Sequence, residues 1–496
     1  MTSTNLHPTA GKELPADTKA GSGVSGLDEV LAGGFPRRRL FLVEGAPGTG
    51  KTTLAMQFLR EGARQGERVL YVTLSESEEE LRASAASHGW SLDGVEFREL
   101  APSEQSLLPD EQYTLFHPSE IELSETTKLI LAEAERLQPE RVVFDSMAEL
   151  RLLAGSALRY RRQILVLKHF FAGRSTVLLL DDLAAATDSQ HTQTIAHGIV
   201  CLEQLVPEYG PHRRRLRVTK LRGVQFSGGN HDFVIGRGGL EVYPRLDAPK
   251  QRSAVVRELL SSGITELDEL LGGGVERGTS TLLIGAAGTG KSTLATHLVV
   301  SAAARGERAA CFIFDESLTT LVARSAALGA DLRPHLEAGR VSVRQVDPAE
   351  LSPGGLSHAI RTSVECDGVS VVVIDSLNGY LNAMPGERFL TIQLHQLLSY
   401  LADRGVVTLL VAAQEGLVGS QLISPVDASY LADTVILLRY FEARGEVRQA
   451  ISVLKKRAGP HERTIREIRM HDGRVSLSPP LCEFRGVLTG VPHLES

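Results

Sequence analysis

The chain has 496 residues, 42% of them hydrophobic and 23% charged, with a net charge of -7. That balance supports about three domains, or two large ones, and excludes wholesale disorder. The acidic sign argues against a basic nucleic-acid coat or a cationic membrane binder. With 47 glycines and 5% aromatics, many tight turns and aliphatic strands are expected. Cys201, Cys311, Cys366 and Cys482 have no paired spacing, so reduced core thiols are expected in place of a disulfide framework or zinc site. No apolar run reaches ~18 residues, which predicts no membrane span. The polar start, residues 1–20, has no secretory apolar region and reads as a mobile tail on a cytoplasmic protein.

The chain is written twice. A shift of about 240 residues lays Ser22 on Ser262, Leu27-Asp28-Glu29 on Leu267-Asp268-Glu269, and Glu76-Ser77 on Glu316-Ser317, a period that marks two whole domains and not a solenoid. The Pro-bearing, charged stretch from Val242 to Leu259 reads as the linker. The expected organisation is a tail over residues 1–20, domains over 21–248 and 249–480, and a tail over 481–496. Within the first half, LFLVEG ends in a glycine loop and is followed by a helical TTLAMQFLREGARQG. RVLYVTL, a helical SETTKLILAEAERLQ, RVVFDS and STVLLLDD come next. TLLIG, AACFIFDE, VSVVVIDS and VVTLLVAA repeat the order. Short β-branched runs between helices predict an α/β fold: two tandem domains, each a mostly parallel sheet flanked by helices.

Both glycine loops fit G-x4-G-K-[ST]. The first is Gly45, Ala46, Pro47, Gly48, Thr49, Gly50, Lys51 and Thr52, with Thr53 next. The second is Gly285, Ala286, Ala287, Gly288, Thr289, Gly290, Lys291 and Ser292, with Thr293 next. Glycines let successive backbone N–H groups turn toward phosphate oxygens, and the following helix points its N-terminus at the same anion. Lys51 and Lys291 are expected at the β- and γ-phosphates of ATP, and Thr52 and Ser292 at Mg²⁺. Asp145 and Asp375 end buried strands, where an acid suits the metal shell. Glu76, Asp315 and Glu316 end the second strands, where a carboxylate orients or deprotonates the attacking water. Glu316 is a further metal candidate. Only one of these acids stands in the first copy, where Ser75 takes the place of Asp315.

With both loops and the strand-end acids, SHGW (Ser87–Trp90), KLRG (Lys220–Gly223) and the stretch from Asp433 to Ile468, residues 20–480 resemble a double-domain KaiC-family ATPase of the RecA-like superfamily. The resemblance implies a homohexameric ring of two stacked tiers, with Mg-ATP between neighbouring subunits and Ser87 near the nucleotide. It matches Lys220 and Arg222, and Lys455 and Arg457, to cations that reach a neighbour's γ-phosphate. Spacing alone puts each Lys-x-Arg pair on one face of a strand. The resemblance also implies serine/threonine autokinase activity in the second domain, with Ser429 at the phosphoserine position. Tyr430 stands where the family has a phosphothreonine, and a Tyr cannot present its oxygen there, so a two-site cycle is not expected. The family carries paired Glu at the second strand's end; Asp315 is one methylene shorter, and its carboxylate retreats by ~1.5 Å.

The expected function is a slow, ring-forming ATPase acting as a signalling or timing switch toward protein partners. A nucleic-acid-dependent recombinase or motor is the alternative, with HRRRLR (His212–Arg217) as its phosphate-contacting patch. Acidic net charge and few aromatics weigh against nucleic acid. A third reading is a scaffold in which ATP is structural. The segment after Met470 reads as a terminus beyond the fold.

Overall fold

The computed structural model describes residues 18–100, 118–182, 189–207, 210–246, 258–347, 350–382, 389–414, 430–471, 473–489 and 493–494. These residues divide into two compact units that part between Arg245 and Leu246. In the first, β1 (Leu40–Gly45) leads into α1 (Lys51–Arg64). β2 (Val69–Thr73), β3 (Val95–Glu99) and β4 (Arg141–Asp145) follow. Next come α2 (Ala157–Phe171), β5 (Thr176–Asp182), β6 (Gly198–Leu205), β7 (Arg213–Leu221), β8 (His231–Gly236) and β9 (Gly239–Tyr243). The sheet order is β9-β8-β7-β6-β1-β5-β4-β2-β3. β6 through β3 in that order run parallel, while β7, β8 and β9 add an antiparallel extension.

The second unit repeats this plan. Its strands are β10 (Ser280–Gly285), β11 (Ala309–Ile313), β12 (Val341–Gln345), β13 (Val371–Asp375) and β14 (Val407–Ala413). β15 (Thr434–Ala443), β16 (Glu446–Lys456), β17 (Arg466–His471) and β18 (Arg474–Pro480) complete the sheet, with α3 (Lys291–Ala304) after β10 and α4 (Leu390–Asp403) before β14. Its order is β12-β11-β13-β14-β10-β15-β16-β17-β18. Both sheets are covered on both faces. Phe41 and Val43 pack in one apolar cluster, and Leu40 and Leu42 in another. Val371 and Val373 split from Val372 and Ile374 in the same way. Period-two alternation sends neighbours to opposite faces, so a strand buried on both must be apolar throughout.

Several sequence expectations change here. Lys19-Ala20 pairs with Phe35-Pro36 and Ala20 is fully buried, so the fold begins inside the expected tail; residues 1–17 lie outside the described residues. Val242 is buried in β9, and Leu259-Leu260 pairs with Val275-Glu276, which narrows the linker from both sides. The segment after Met470 is part of the fold. β18 is the outermost strand of the second sheet, and within the expected 481–496 tail Val487 is buried against Phe441 while Phe484-Arg485 pairs with His493-Leu494. Cys201 and Cys311 are buried, but Cys366 and Cys482 are exposed and are not core thiols. No helix among the described residues is long and apolar enough to cross a membrane.

Candidate functional site: two phosphate loops and their surroundings

Each glycine loop joins the central parallel strand to a helix whose N-terminus has no side-chain cap. Gly50 and Gly290 hold the cap positions at φ 103° and 97°. A Cβ at Gly50 would lie 2.5 Å from Ile235 Cδ1, and one at Gly290 1.8 Å from Met470 Cε. The positive φ favours glycine at both positions, while the neighbouring atoms are the movable ends of Ile235 and Met470. The first-turn N–H groups have no intrahelical partner, and an anion suits them. Thr49 and Thr289 each donate to the carbonyl of the second loop residue at 2.8 Å, which shapes both loops alike. Thr52 Oγ1 donates to Asp145 Oδ2 at 2.8 Å, and Ser292 hydrogen-bonds Asp375. The expected hydroxyl–carboxylate pairs are therefore assembled in both halves. In the second half, Gly288, Gly290, Lys291, Ser292, Thr293, Asp315, Glu316 and Asp375 line one cleft of about 520 Å³, within the range of small-molecule sites. An uncapped helix end, a glycine cradle and a hydroxyl–carboxylate pair fit a magnesium-bound triphosphate.

The two lysines differ. Lys291 Nζ donates to Ala286 O at 2.7 Å, and burial lowers its pKa to about 8 against the opposing pull of Asp375. Lys51 Nζ donates to Gly45 O at 2.7 Å and also pairs with Asp182 Oδ1 at 2.8 Å. Asp182 ends β5 in register with Gly45; Ala413 holds that place beside Gly285. Two more acids lie beneath the first loop, Glu44 and Asp181, both buried, where Ile284 and Ala412 stand in the second half. Glu44 accepts from Gln193 at 3.0 Å, and Asp181 pairs with Arg151. Burial raises Asp181 to about 6, with Arg151 opposing and Glu44 adding to the rise. DD at the end of STVLLLDD was visible in the sequence. Its significance lay in the strand register, which puts Asp182 at the lysine.

The strand-end acids also sit differently. Asp145 accepts from Tyr71 at 2.6 Å, whereas Cys311 fills the matching position below Asp375. Burial pushes the Cys311 thiol up to about 12, and Asp375 adds to this. Asp375 is itself raised, chiefly by burial. Glu76 is raised by burial, then by Asp145 and Glu80. In the second half both acids are engaged. Asp315 accepts from Ser376 Oγ. Glu316 takes a two-pronged bond from Arg324, with N–O distances of 3.1 and 2.8 Å, and Arg324 also reaches Thr293 Oγ1 at 3.1 Å. Arg324 has no counterpart at Ser84 and was missed in the sequence. Ser87 is exposed and donates to Ser84 O at 2.6 Å, closing its own helix.

The Lys-x-Arg pairs stand away from the loops of their own unit. Lys220 pairs with Ile199, which aligns with Leu42; Lys455 pairs with Val435, which aligns with Leu282. Each is thus on the order of 10 Å back along the strands from the loop glycine, and a further ~10 Å across them. The register shifts one residue before each lysine and leaves Thr219 and Leu454 unpaired; each arginine lies one residue past its strand, and Lys220 and Arg222 both reach Thr194 O, on one side of the strand. Such bulges re-aim side chains at a sheet edge. Lys220 Nζ donates to Gln193 O at 2.7 Å and Lys455 Nζ to Ala432 O at 2.8 Å. Arg222 donates to Thr194 O at 3.2 Å, and Arg457 pairs with Asp433 at 3.3 Å. In the HRRRLR patch, Arg215 pairs with Asp232 and Arg217 with Glu203. Ser429 lies outside the described residues; Tyr430 is exposed.

Glycine loop, uncapped helix and strand-end acid, twice over on mostly parallel sheets, define a tandem RecA-like P-loop ATPase fold. The chain belongs to the KaiC ATPase family: the sequence profile described as "ATPase: KaiC" matches residues 20–247 and 260–481. Among similar proteins is the circadian clock oscillator protein KaiC of Prochlorococcus marinus (strain MIT 9313), 29% identical over 96% of this chain and 95% of that protein. The protein of the same name from Synechococcus elongatus (strain ATCC 33912 / PCC 7942 / FACHB-805) is 28% identical over 99% and 95%, and that of Parasynechococcus marenigrum (strain WH8102) is 28% identical over 98% and 95%.

Proposed function

We propose that this chain is an ATP hydrolase that assembles into a cytoplasmic homohexameric ring, binds Mg-ATP at subunit interfaces and turns it over slowly. The domains proper are taken as 21–248 and 249–480, extended at both ends by the segments described above. The observation that carries the reading is the placement of both Lys-x-Arg pairs about 10 Å back along the strands and two strands across from their own phosphate loops. Cations so placed serve a nucleotide held by an adjoining copy, where they offset charge developing on the γ-phosphate. From behind, loop N–H groups and Lys51 or Lys291 hold the phosphates. Magnesium, when bound by Thr52 and Asp145 or by Ser292 and Asp375, screens phosphate charge. Glu76 in the first domain, and Asp315 and Glu316 in the second, are the groups that orient water. Release of Glu316 from Arg324 frees its carboxylate for that task.

The sites divide the work. The first carries extra acids and an ion-paired lysine, which suits a slow, ring-holding site. The second has the larger share of turnover, and Ser429 is its candidate autophosphorylation residue. By analogy with proteins named as clock oscillators, the output is a timing or signalling state read by protein partners. Steady-state hydrolysis by Lys51→Ala and Lys291→Ala tests the division: the second substitution is expected to remove more activity, and equal losses contradict it. Native mass spectrometry with and without Mg-ATP, followed by phosphosite mapping, reports assembly and Ser429 together. A protomer that stays single in nucleotide contradicts the ring.

A further inference from the structure

The first unit carries a second basic cavity, at the opposite end of its central strands from the phosphate loop. It has a volume of about 200 Å³, and Arg38, Arg39, Lys168, His197 and Arg222 line it over an apolar floor of Leu40, Phe171 and Ile195. The lining includes no carboxylate. None of the four permanent cations is ion-paired among the described residues. Lys168 Nζ donates to Ile195 O at 3.0 Å and Arg222 to Thr194 O at 3.2 Å, so both are anchored by neutral carbonyls. The field they make is visible on their neighbours. His197 is pulled below its usual pKa by burial, then by Arg39, Arg222 and Lys168, and Lys220 by burial, then by Arg222 and Lys168.

The second copy of the fold lacks this collection. Gly278 and Thr279 match Arg38 and Arg39, Ser399 stands eight residues before its strand where Lys168 does, and Asp433 holds the place of His197. Only Arg457 remains, and Asp433 neutralises it. Arg38 adopts φ 58° where Gly278 has 69°. A left-handed backbone is uncommon for a residue with a side chain, and such positions cluster at ligand sites. The fold therefore tolerates uncharged residues at these positions, and the first copy carries cations there. Like charges held close without a counter-ion are unfavourable, and arginine forks match multiply charged oxyanions.

We propose that this cavity is a binding site for a free phosphate-class polyanion of about diphosphate size, apart from both of this chain's phosphate loops. Arg38, Arg39 and Lys168 bind it, with Arg222 at the rim. The test is calorimetric titration of inorganic pyrophosphate into the full-length protein saturated with Mg-ATP, compared with an Arg38→Gly, Arg39→Thr, Lys168→Ser variant carrying the residues of the second copy. Saturable binding to the original chain, at least tenfold weaker in the variant, with ATP affinity and turnover unchanged, is the expected result. Absence of pyrophosphate binding to the original chain overturns the proposal, as does binding that survives in the variant. Loss of ATP affinity or turnover in the variant also overturns it, because the cations would then serve an adjoining copy's nucleotide. Failure of ATP binding in the original chain is measured in the same titration series and bears on the ATPase reading alone.

Discussion

Lys51 and Lys291 occupy the same place in the same motif, yet Lys51 is ion-paired to Asp182 while Lys291 makes no ion pair among the described residues and feels Asp375 only at a distance. A triphosphate entering the first site must take Lys51 from Asp182. Asp182 is partly exposed, so the pair is worth ~0.5–1 kcal/mol, and Asp182→Ala is expected to tighten ATP binding by about two- to fivefold. Fluorescent-nucleotide titration in a Lys291→Ala background measures this; unchanged or weaker binding contradicts it. The second site responds instead to pH. Only charged Lys291 grips phosphate, and its pKa is about 8. Affinity at that site, read in a Lys51→Ala background, is flat below pH 8 and falls as pH rises past it, approaching tenfold per unit. Flat affinity to pH 9.5 would contradict this assignment. Arg141 is a separate, structural case. It is fully buried, bonds Glu67, Gly21 O and Phe58 O, and has Val371 as its counterpart. Arg141→Ala removes one of the two arginine partners of Glu67, Arg37 being the other, takes the donor from Gly21 O and Phe58 O, and is expected to destabilise the first unit by about 2–4 kcal/mol in urea unfolding. The motif residues were legible because G-x4-G-K-[ST] fixes chemistry locally. Asp182, Arg324 and Arg141 were not, since each gains its partner from a distant strand or helix.

At the scale of elements, alternation of apolar runs and helices gave the parallel core, because strands buried on both faces leave an unambiguous pattern. The antiparallel extensions were harder to read. Their strands expose part of their length, as in β7 where Leu216 and Val218 are buried and Arg217 and Thr219 exposed, and β18 lies in the segment that reads as a terminus. The bulges at Thr219 and Leu454 leave no mark in a single sequence, because register is a property of two strands. The bulged residues directly precede Lys220 and Lys455, and Arg222 and Arg457 lie just beyond the strand ends. In the ring reading, Arg457→Ala removes an interaction made with developing charge. Measured in a Lys51→Ala background, kcat of the second site is expected to fall roughly 10³-fold with little change in nucleotide affinity. A pure loss of affinity at constant kcat would assign Arg457 to ground-state binding.

For the whole molecule, duplication has kept the sheet and loops and changed what surrounds them. Glu44, Asp181 and Asp182 load the first loop with acid, while the opposite end of the same strands gathers Arg38, Arg39 and Lys168. The second copy has apolar or neutral residues at these positions. The central claim is that a working site needs a loop from one chain and a Lys-x-Arg pair from another. Mixing two full-length variants tests it most directly, one with Lys51→Ala and Lys291→Ala, the other with Arg222→Ala and Arg457→Ala. Each alone is expected to be inactive. Co-assembled at equal amounts, they rebuild an intact pairing at about a quarter of interfaces, and hydrolysis should recover to about that fraction of the original rate. A co-assembled mixture as inactive as its parents would contradict the account.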